Sequence, residues 1–197
     1  MKTFIISLKI FLFLTVLTGI IYPLFITGIA QVIYPSKANG SLIIIDNKTI
    51  GSRLIGQSFD SVIYFTSRPS AVSYNPLPSG GSNFGLTNAK LNDLVAERKK
   101  QFIAFNQLDS ISAIPPEMLF ASASGLDPHI SPEAALLQVK RIAKARNLSY
   151  SQQQRLLQYI KGMTEAPQFW CLGEERINVL VLNLELDKLD FNDTNNK

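Results

Sequence analysis

An uncharged run over residues 10–34 constrains this chain most strongly, since none of its 25 side chains carries a charge. An α-helix rises about 1.5 Å per residue, so the run forms a helix of about 37 Å, longer than the roughly 30 Å hydrocarbon core of a bilayer. No later stretch is comparable, which predicts a single membrane helix. The chain then divides into a short cytoplasmic N-terminus (1–9), a transmembrane helix (10–34), an extracytoplasmic domain (35–189) and a polar tail (190–197).

A cleavable secretory signal is the alternative for this run. Lys2 and Lys9 can serve as its charged region, and Gly28 and Ala30 supply small residues for cleavage. The apolar region of a signal is usually about 7–15 residues, so the longer run favours a retained anchor. Pro23 interrupts the run, and proline is tolerated in a membrane helix where neighbouring protein satisfies the freed carbonyl. We therefore expect an anchor that packs against protein.

The charges beside the run do not decide its orientation. Lys2 and Lys9 precede it, while Lys37, Lys48 and Arg53 follow, so the positive-inside rule finds a near balance. A long domain is translocated largely regardless of its charge. We therefore expect the N-terminus in the cytoplasm and the domain outside.

The remaining 163 residues suit one domain. They contain 17 basic and 15 acidic residues without a basic stripe, so nucleic acid is not an expected partner. Cys171 is the only cysteine, which excludes an intrachain disulfide and predicts a buried, small apolar side chain.

Hydrophobic periodicity predicts an α+β fold for this domain. An apolar strand at 42–45 ends at a turn pair, Asp46-Asn47, and residues 52–86 are irregular. A second strand is expected at 118–121. Strict alternation over 177–186 predicts a third strand.

Three helix starts are predicted from capping residues. Thr87 precedes a helix whose buried face is Leu91, Leu94, Val95, Arg98 and Phe102. Ser131 and Pro132 begin the next, with Ala135, Val139, Ile142 and Ala143 inside and Lys140, Arg141 and Lys144 toward water. Ser151 and Gln154 form a capping box for a third helix, which Gly162 ends; Leu156, Leu157 and Ile160 face inward.

Catalytic motifs are mostly absent from the sequence. It has no phosphate-binding P-loop, no H-E-x-x-H and no C-x-x-C, and one histidine cannot build a multi-histidine metal site. Asp127, His129 and Ser131 are the residue types of a hydrolase triad, but such close neighbours cannot generally align. A turn hydrogen-bonded to the following helix is favoured. A tethered or secreted periplasmic hydrolase and a ligand-binding domain stay as alternatives.

A glycine pair in Ser79-Gly80-Gly81-Ser82-Asn83 allows two interpretations. Successive backbone N–H groups in such a loop can bind an anion. Alternatively, the glycines provide a tight turn with positive φ.

Several further segments are distinctive when taken together with this loop and the apolar helix. They are Gly51-Ser52-Arg53-Leu54-Ile55-Gly56-Gln57-Ser58-Phe59, Tyr64-Phe65, Arg68-Pro69-Ser70-Ala71, Ser122-Ala123-Ser124-Gly125-Leu126-Asp127-Pro128-His129-Ile130-Ser131-Pro132, the helix from Val139 to Arg146, and Val179-Leu180 with Leu182-Asn183-Leu184. In this order they resemble the C subunit of the Kdp-type potassium-transporting ATPase of bacteria, over nearly the whole chain.

The resemblance implies a non-catalytic accessory subunit of an ATP-driven, high-affinity potassium uptake pump. Its partners would be a channel-like potassium-translocating subunit and a P-type ATPase subunit in the bacterial plasma (inner) membrane. Potassium would be transported by those partners, and no cofactor would be covalently bound.

The resemblance also implies a catalytic chaperone that raises the affinity of the ATPase subunit for ATP. Its nucleotide or anion loop would be Ser79, Gly80, Gly81, Ser82 and Asn83; Gln57, Arg68, Asp127 and His129 are further candidate functional residues. No catalytic residue and no metal site are expected. ATP is cytoplasmic, whereas the predicted topology places the loop outside, so the two expectations conflict.

Overall fold

The computed structural model describes residues 1–109, 111 and 113–194, with side chains given as far as Leu189. Two compact units are present, Met1–Ser52 and a second that begins at Arg53. The boundaries predicted at 9/10 and 34/35 concern the membrane and stay predictions.

The first unit begins with one long apolar helix. It comprises α1 (Lys2–Val16), a π-helical turn (Leu17–Ile21) and α2 (Tyr22–Ile33). Among the described residues, only this 32-residue helix is long and apolar enough to span a bilayer, and no residue of its most apolar stretch is buried. Pro23 has no N–H for the carbonyl four residues earlier, and the π turn there widens the helix without ending it. The predicted helix and its local interruption are confirmed.

A short helix and a β-hairpin complete the first unit. They are α3 (Pro35–Ala38), β1 (Leu42–Ile45) and β2 (Lys48–Ser52), the strands pairing antiparallel. Asp46 and Asn47 both have positive φ between the strands, as a tight hairpin turn requires. The predicted strand and turn pair are confirmed.

Four helices and a small sheet make up the described part of the second unit. The helices are α4 (Ala89–Asn106), α5 (Pro132–Ala145), α6 (Tyr150–Met163) and α7 (Val179–Thr194). Strands β3 (His129–Ile130) and β4 (Ile177–Asn178) pair antiparallel, and Pro116–Met118 is one 3₁₀ turn. Residues 53–88 have no helix or strand, as predicted for most of that stretch. The predicted mixture of α and β structure is confirmed.

The core of this unit contains apolar side chains from these four helices and from residues 53–88, which we call the irregular segment. The largest fully buried ones are Phe65, Ile130, Ile142, Leu156, Ile177, Leu182, Leu186 and Leu189. The inward faces predicted for the helices after Thr87, Ser131 and Ser151 are largely confirmed, since their named apolar residues are buried or half-buried.

The strand predicted over 177–186 is wrong beyond Asn178, because α7 begins at Val179. Buried or half-buried side chains lie on most sides of α7, so the helical period is hidden and an alternating pattern remains. The helix continues through 190–194, which the sequence placed in a polar tail; residues 195–197 lie outside the described part.

Other predictions of local structure need correction. Residues 118–121 form no strand, since the proline-rich segment before them ends in the 3₁₀ turn. The N-cap of α4 is Asn88, whose side-chain oxygen accepts the Lys90 N–H at 2.9 Å, one residue after the expected Thr87. Cys171 is exposed, not buried.

The capping of α5 and α6 is only partly as expected. Ser131 caps α5, its hydroxyl accepting the Ala134 N–H at 3.1 Å as predicted. The capping box of α6 is Ser149 with Gln152, two residues before the predicted pair. Gly162 lies inside the last turn of α6 and does not end it.

Candidate functional site

Side chains of α5 and α7 hold the irregular segment onto the helices. The Asn183 carboxamide accepts the Phe65 N–H at 2.8 Å and donates to the Phe65 carbonyl at 2.9 Å. Gln138 accepts the Thr66 N–H at 2.8 Å. These side chains replace the strand neighbours that would otherwise satisfy an extended backbone. Phe65 is thereby fixed in the core without a sheet.

Arg141 acts together with Gln138 and Asn183, and we call these three side chains the clamp. The prediction that Arg141 faces water is wrong. Arg141 is 3% exposed, and its guanidinium carbon lies 4.5 Å from the centre of the Phe105 ring. It donates hydrogen bonds to four oxygens, those of Val62, Tyr64, Asn106 and Gln138. Burial lowers the pKa of Arg141 to about 10. No carboxylate pairs with it among the described residues, so carbonyl and amide oxygens compensate the buried charge.

The segment Ser122–His129 contacts three separate parts of the irregular segment. The Gly56 N–H donates to the Leu126 carbonyl at 2.7 Å. The Ser70 hydroxyl donates to the Gly125 carbonyl at 2.7 Å. This segment therefore bonds to parts of the chain that lie far apart in the sequence.

The Ser79–Asn83 loop is part of this contact. The Gly80 N–H donates to the Ser124 carbonyl at 2.9 Å. A Cβ on Gly81 would lie 3.1 Å from the Ala123 oxygen. Neither glycine has positive φ, so close approach of two backbones, and not turn geometry, explains Gly81. Binding of an anion by this loop stays a prediction, with the Gly80 donor already engaged.

Arg68, Asp127 and His129 form a polar cluster at the end of the same segment. Arg68 Nη1 lies 2.7 Å from Asp127 Oδ2, and Asp127 Oδ1 accepts the His129 N–H at 3.0 Å and lies 3.3 Å from His129 Nδ1. Burial acts to raise the pKa of Asp127, but the hydrogen bonds from His129 and Arg68 outweigh it and lower the pKa to about 2. The cluster joins 68 and 127 by an ion pair across 59 residues.

This cluster borders a pocket of about 470 Å³. Its ionisable lining comprises Arg68, Arg176 and His129 together with Glu117, Asp127, Glu174 and Glu175. Four carboxylates make the pocket a poor receptor for a polyphosphate, because like charges repel. Gln57 and the Ser79–Asn83 loop do not line it. The Gln57 carbonyl accepts the Ser67 hydroxyl at 2.8 Å.

A hydrolase site is not assembled around His129. The Ser131 hydroxyl caps α5, and no hydroxyl bonds to His129 among the described residues. The predicted turn, with Asp127 and His129 bonded to the start of α5, is wrong: Asp127 bonds to Arg68 and to the His129 N–H, and His129 belongs to β3. The described part of the chain has no group of three or more residues suited to hold a metal ion.

Sequence reasoning missed the clamp formed by Gln138, Arg141 and Asn183. The spacing of Gln138 and Arg141 places them on the buried face of α5, beside Ala134 and Ile142. Polar side chains on an apolar stripe were the available signal, because a buried polar group needs a partner.

Comparison with known proteins gives the family. The family model for KdpC, described as "K+-transporting ATPase, c chain", matches residues 4–188. The potassium-transporting ATPase KdpC subunit of Photorhabdus laumondii is 46% identical over 186 residues, 93% of this chain and 94% of that protein. The KdpC subunits of Leptospira interrogans and Dechloromonas aromatica are 44% and 47% identical, over 92% and 93% of this chain and 92% and 95% of those proteins.

The described fold comprises one long apolar helix and a small domain of mixed α and β structure, and the matched family is one of membrane-associated ATPase subunits. The chain belongs to the KdpC family of potassium-transporting ATPase subunits. The resemblance inferred from the sequence is confirmed.

Proposed function

We propose that this chain is an accessory subunit that stabilises the assembly of a channel-like potassium-translocating subunit with a P-type ATPase subunit. Its N-terminus lies in the cytoplasm and its domain lies outside the bacterial plasma membrane. The exposed apolar helix over Lys2–Ile33, on a chain of this family, is the observation that carries the proposal.

The physical basis is that the described part of the chain does not bury the most apolar stretch of this helix. Its most apolar stretch buries nothing, so lipid or another protein must cover it. One helix encloses no pore, and the sequence has no P-loop for nucleotide hydrolysis. A pump that contains this chain must therefore take its ion pathway and its energy source from other subunits.

Purification of the tagged full-length chain from its native membrane in mild detergent tests the proposal. We expect two large membrane proteins to co-elute and the eluate to show potassium-stimulated ATPase activity. Removal of this chain should abolish that activity. Recovery of the chain alone, shortened at its N-terminus, would show that the helix is a cleaved signal and would overturn the proposal.

The nucleotide role that the family resemblance implies stays a separate prediction for the Ser79–Asn83 loop. Ser82→Ala keeps the backbone and removes one exposed hydroxyl. If the loop binds ATP, this change should raise the KM for ATP of the assembled pump. If Ser82→Ala leaves the KM for ATP unchanged while Gln57→Ala changes it, the nucleotide effect belongs to the surroundings of Gln57 and not to the loop.

A further inference from the structure

A hairpin-like extension between α6 and β4 presents aromatic side chains to solvent. We call residues 165–176 the finger. Phe169 and Trp170 at its end are 82% and 92% exposed, and Leu172 is 59% exposed. Exposed aromatic residues clustered at one projection are typical of contact sites between proteins.

The backbone at the end of the finger is unfavourable for the residues that occupy it. The Cys171 N–H donates to the Gln168 carbonyl at 3.3 Å and closes a turn in which Phe169 and Trp170 have φ of +52° and +66°. Asn and Gly are preferred where two successive residues have positive φ, because bulky side chains are strained there. Phe169 and Trp170 therefore disfavour the turn, and their exposure shows little compensating burial within the chain.

The base of the finger is firmly held. Glu165 and Arg176 exchange backbone hydrogen bonds of 2.8 and 3.1 Å, and their side chains form an ion pair of 3.0 Å. Gln168 and Leu172 exchange two more bonds of 2.9 Å near the end. This pairing holds the aromatic end in a defined shape. A preformed projection loses less conformational entropy on binding than a disordered loop.

Charge on the finger distinguishes between two kinds of partner. Its carboxylates are Glu165, Glu174 and Glu175 against one guanidinium, Arg176, which gives a net charge of −2. Glu174 and Glu175 are exposed and form no ion pair among the described residues. An anionic lipid surface repels such a group, whereas a protein pocket with a basic rim attracts it.

We propose that the finger docks Phe169 and Trp170 into an apolar pocket with a basic rim on a partner membrane subunit of the same ATPase. This inference rests on the proposed accessory function and assigns one contact of that assembly. Strained, exposed aromatic residues at the end of a rigid hairpin, beside two unpaired acids, are the features that carry it.

The native thiol of Cys171 provides the test, because it is exposed within the finger and is the only cysteine of the chain. The rate of its alkylation by a maleimide is measured on the full chain in nanodiscs without partners and in the purified pump. In both preparations, mass spectrometry follows the increase in mass of this subunit that alkylation causes. We expect alkylation at least tenfold slower in the pump.

A matched thiol on α6 is the control for general crowding. In Cys171→Ser/Ser151→Cys the new thiol replaces an exposed hydroxyl, and its alkylation rate should be similar in both preparations. Nanodiscs that contain anionic phospholipid test the bilayer. Protection of Cys171 there, without partners, would overturn the proposal in favour of a lipid contact.

A double variant separates docking from folding. Phe169→Asn/Trp170→Gly suits positive φ, so its thermal midpoint should be equal to or above that of the unmodified chain, while recovery of the partner subunits falls at least fivefold. Leu86→Ser, which removes another side chain that is 84% exposed, should leave recovery unchanged.

Equal alkylation rates of Cys171 in both preparations, or full recovery of partners by the double variant, would overturn the finger contact but not the accessory function. A lowered thermal midpoint in that variant would instead show that the aromatic residues support the fold, and would also overturn the finger contact. Failure of the unmodified chain to recover any partner would contradict the accessory function itself.

Discussion

The Ser79–Asn83 loop and the finger at 165–176 reverse what their compositions suggest. The loop consists of serine, glycine and asparagine, which are common in anion-binding turns, yet its Gly80 N–H is bonded to the Ser124 carbonyl and Gly81 lies against Ala123. The finger carries bulky aromatic residues, yet its turn has the positive φ that glycine suits best. One segment is engaged within the domain, and the other projects from it.

The difference between the loop and the finger shows that the residue type at a position does not by itself reveal the backbone conformation or the packing there. Glycine at 81 removes a Cβ from a close contact between backbones, which is a packing requirement. Phe169 and Trp170 occupy strained positions and bury little, so stability of the domain does not explain them. Four measurements can sharpen or break this comparison.

The largest effect on stability is expected at Gly125, which lies against the Gly80 carbonyl of the Ser79–Asn83 loop. Its φ is +71°, and a Cβ would lie 2.5 Å from Val72 Cγ2 and 2.8 Å from the Gly80 carbonyl oxygen. Gly125→Ala should lower the free energy of unfolding by about 3 kcal/mol, through backbone strain and overpacking. Denaturant unfolding of the full chain in detergent measures it. Gly85→Ala, where a Cβ meets nothing within 4 Å, is the control, and an equal loss there would contradict the explanation.

The second effect is the acid sensitivity of the cluster at Asp127. Hydrogen bonds from His129 and Arg68 overcome the effect of burial and hold its pKa at about 2, below the ordinary 3.8. Because the folded pKa is the lower one, this stabilisation is complete above about pH 5 and is lost as the pH falls toward 2.

Asp127→Asn isolates that contribution from those of other carboxylates. The unmodified chain should lose about 2 kcal/mol more than the variant between pH 5 and pH 2. Unfolding midpoints measured for both across that range give the difference. Parallel pH curves would show that Asp127 is not stabilised by its neighbours.

Substitution of the two adjacent glycines of the loop by alanine should change the free energy of unfolding in opposite directions. Gly81→Ala places a methyl group 3.1 Å from the Ala123 oxygen and should lower the free energy of unfolding by about 1 kcal/mol. Gly80→Ala meets nothing within 4 Å and should raise it by about 0.5 kcal/mol, because alanine restricts the unfolded chain. Effects of the same sign would indicate that the loop does not approach Ala123 as described.

The smallest effect belongs to the finger, where a substitution should stabilise. Phe169→Asn suits a φ of +52° and should raise the free energy of unfolding by about 0.5 kcal/mol. Phe169→Ala removes the same exposed ring but keeps the strain, so it should be close to neutral. Thermal unfolding of both variants measures the effect. Destabilisation by both would mean that the ring packs within the domain.

Local signals in the sequence were sufficient for several elements. The uncharged run predicted the apolar helix, Asp46-Asn47 the hairpin, and Ser131-Pro132 the start of α5. Each of these elements is determined by interactions between residues that are close together in the sequence. The family resemblance was also readable, because its segments occur in order along the chain.

Long-range packing was not readable in the same way. Leucines in α7 alternate with other buried residues because the helix is covered on most sides, so its sequence fits a strand equally well. Arg141 was placed in water by its charge, whereas its oxygen partners at 62 and 64 lie far away in the chain. Within the candidate site, no local pattern predicts that Arg68 pairs with Asp127.

The Asn183 clamp on Phe65 also fixes an order of events during synthesis. Residues 65 and 183 are 118 positions apart, and at about 5–20 residues per second the second follows the first by about 6–24 s. During that interval the backbone at Phe65 lacks the carboxamide that satisfies it. The domain therefore reaches its native state only when almost the whole chain has been made. Until then the backbone around Phe65 is open to proteases and to aggregation.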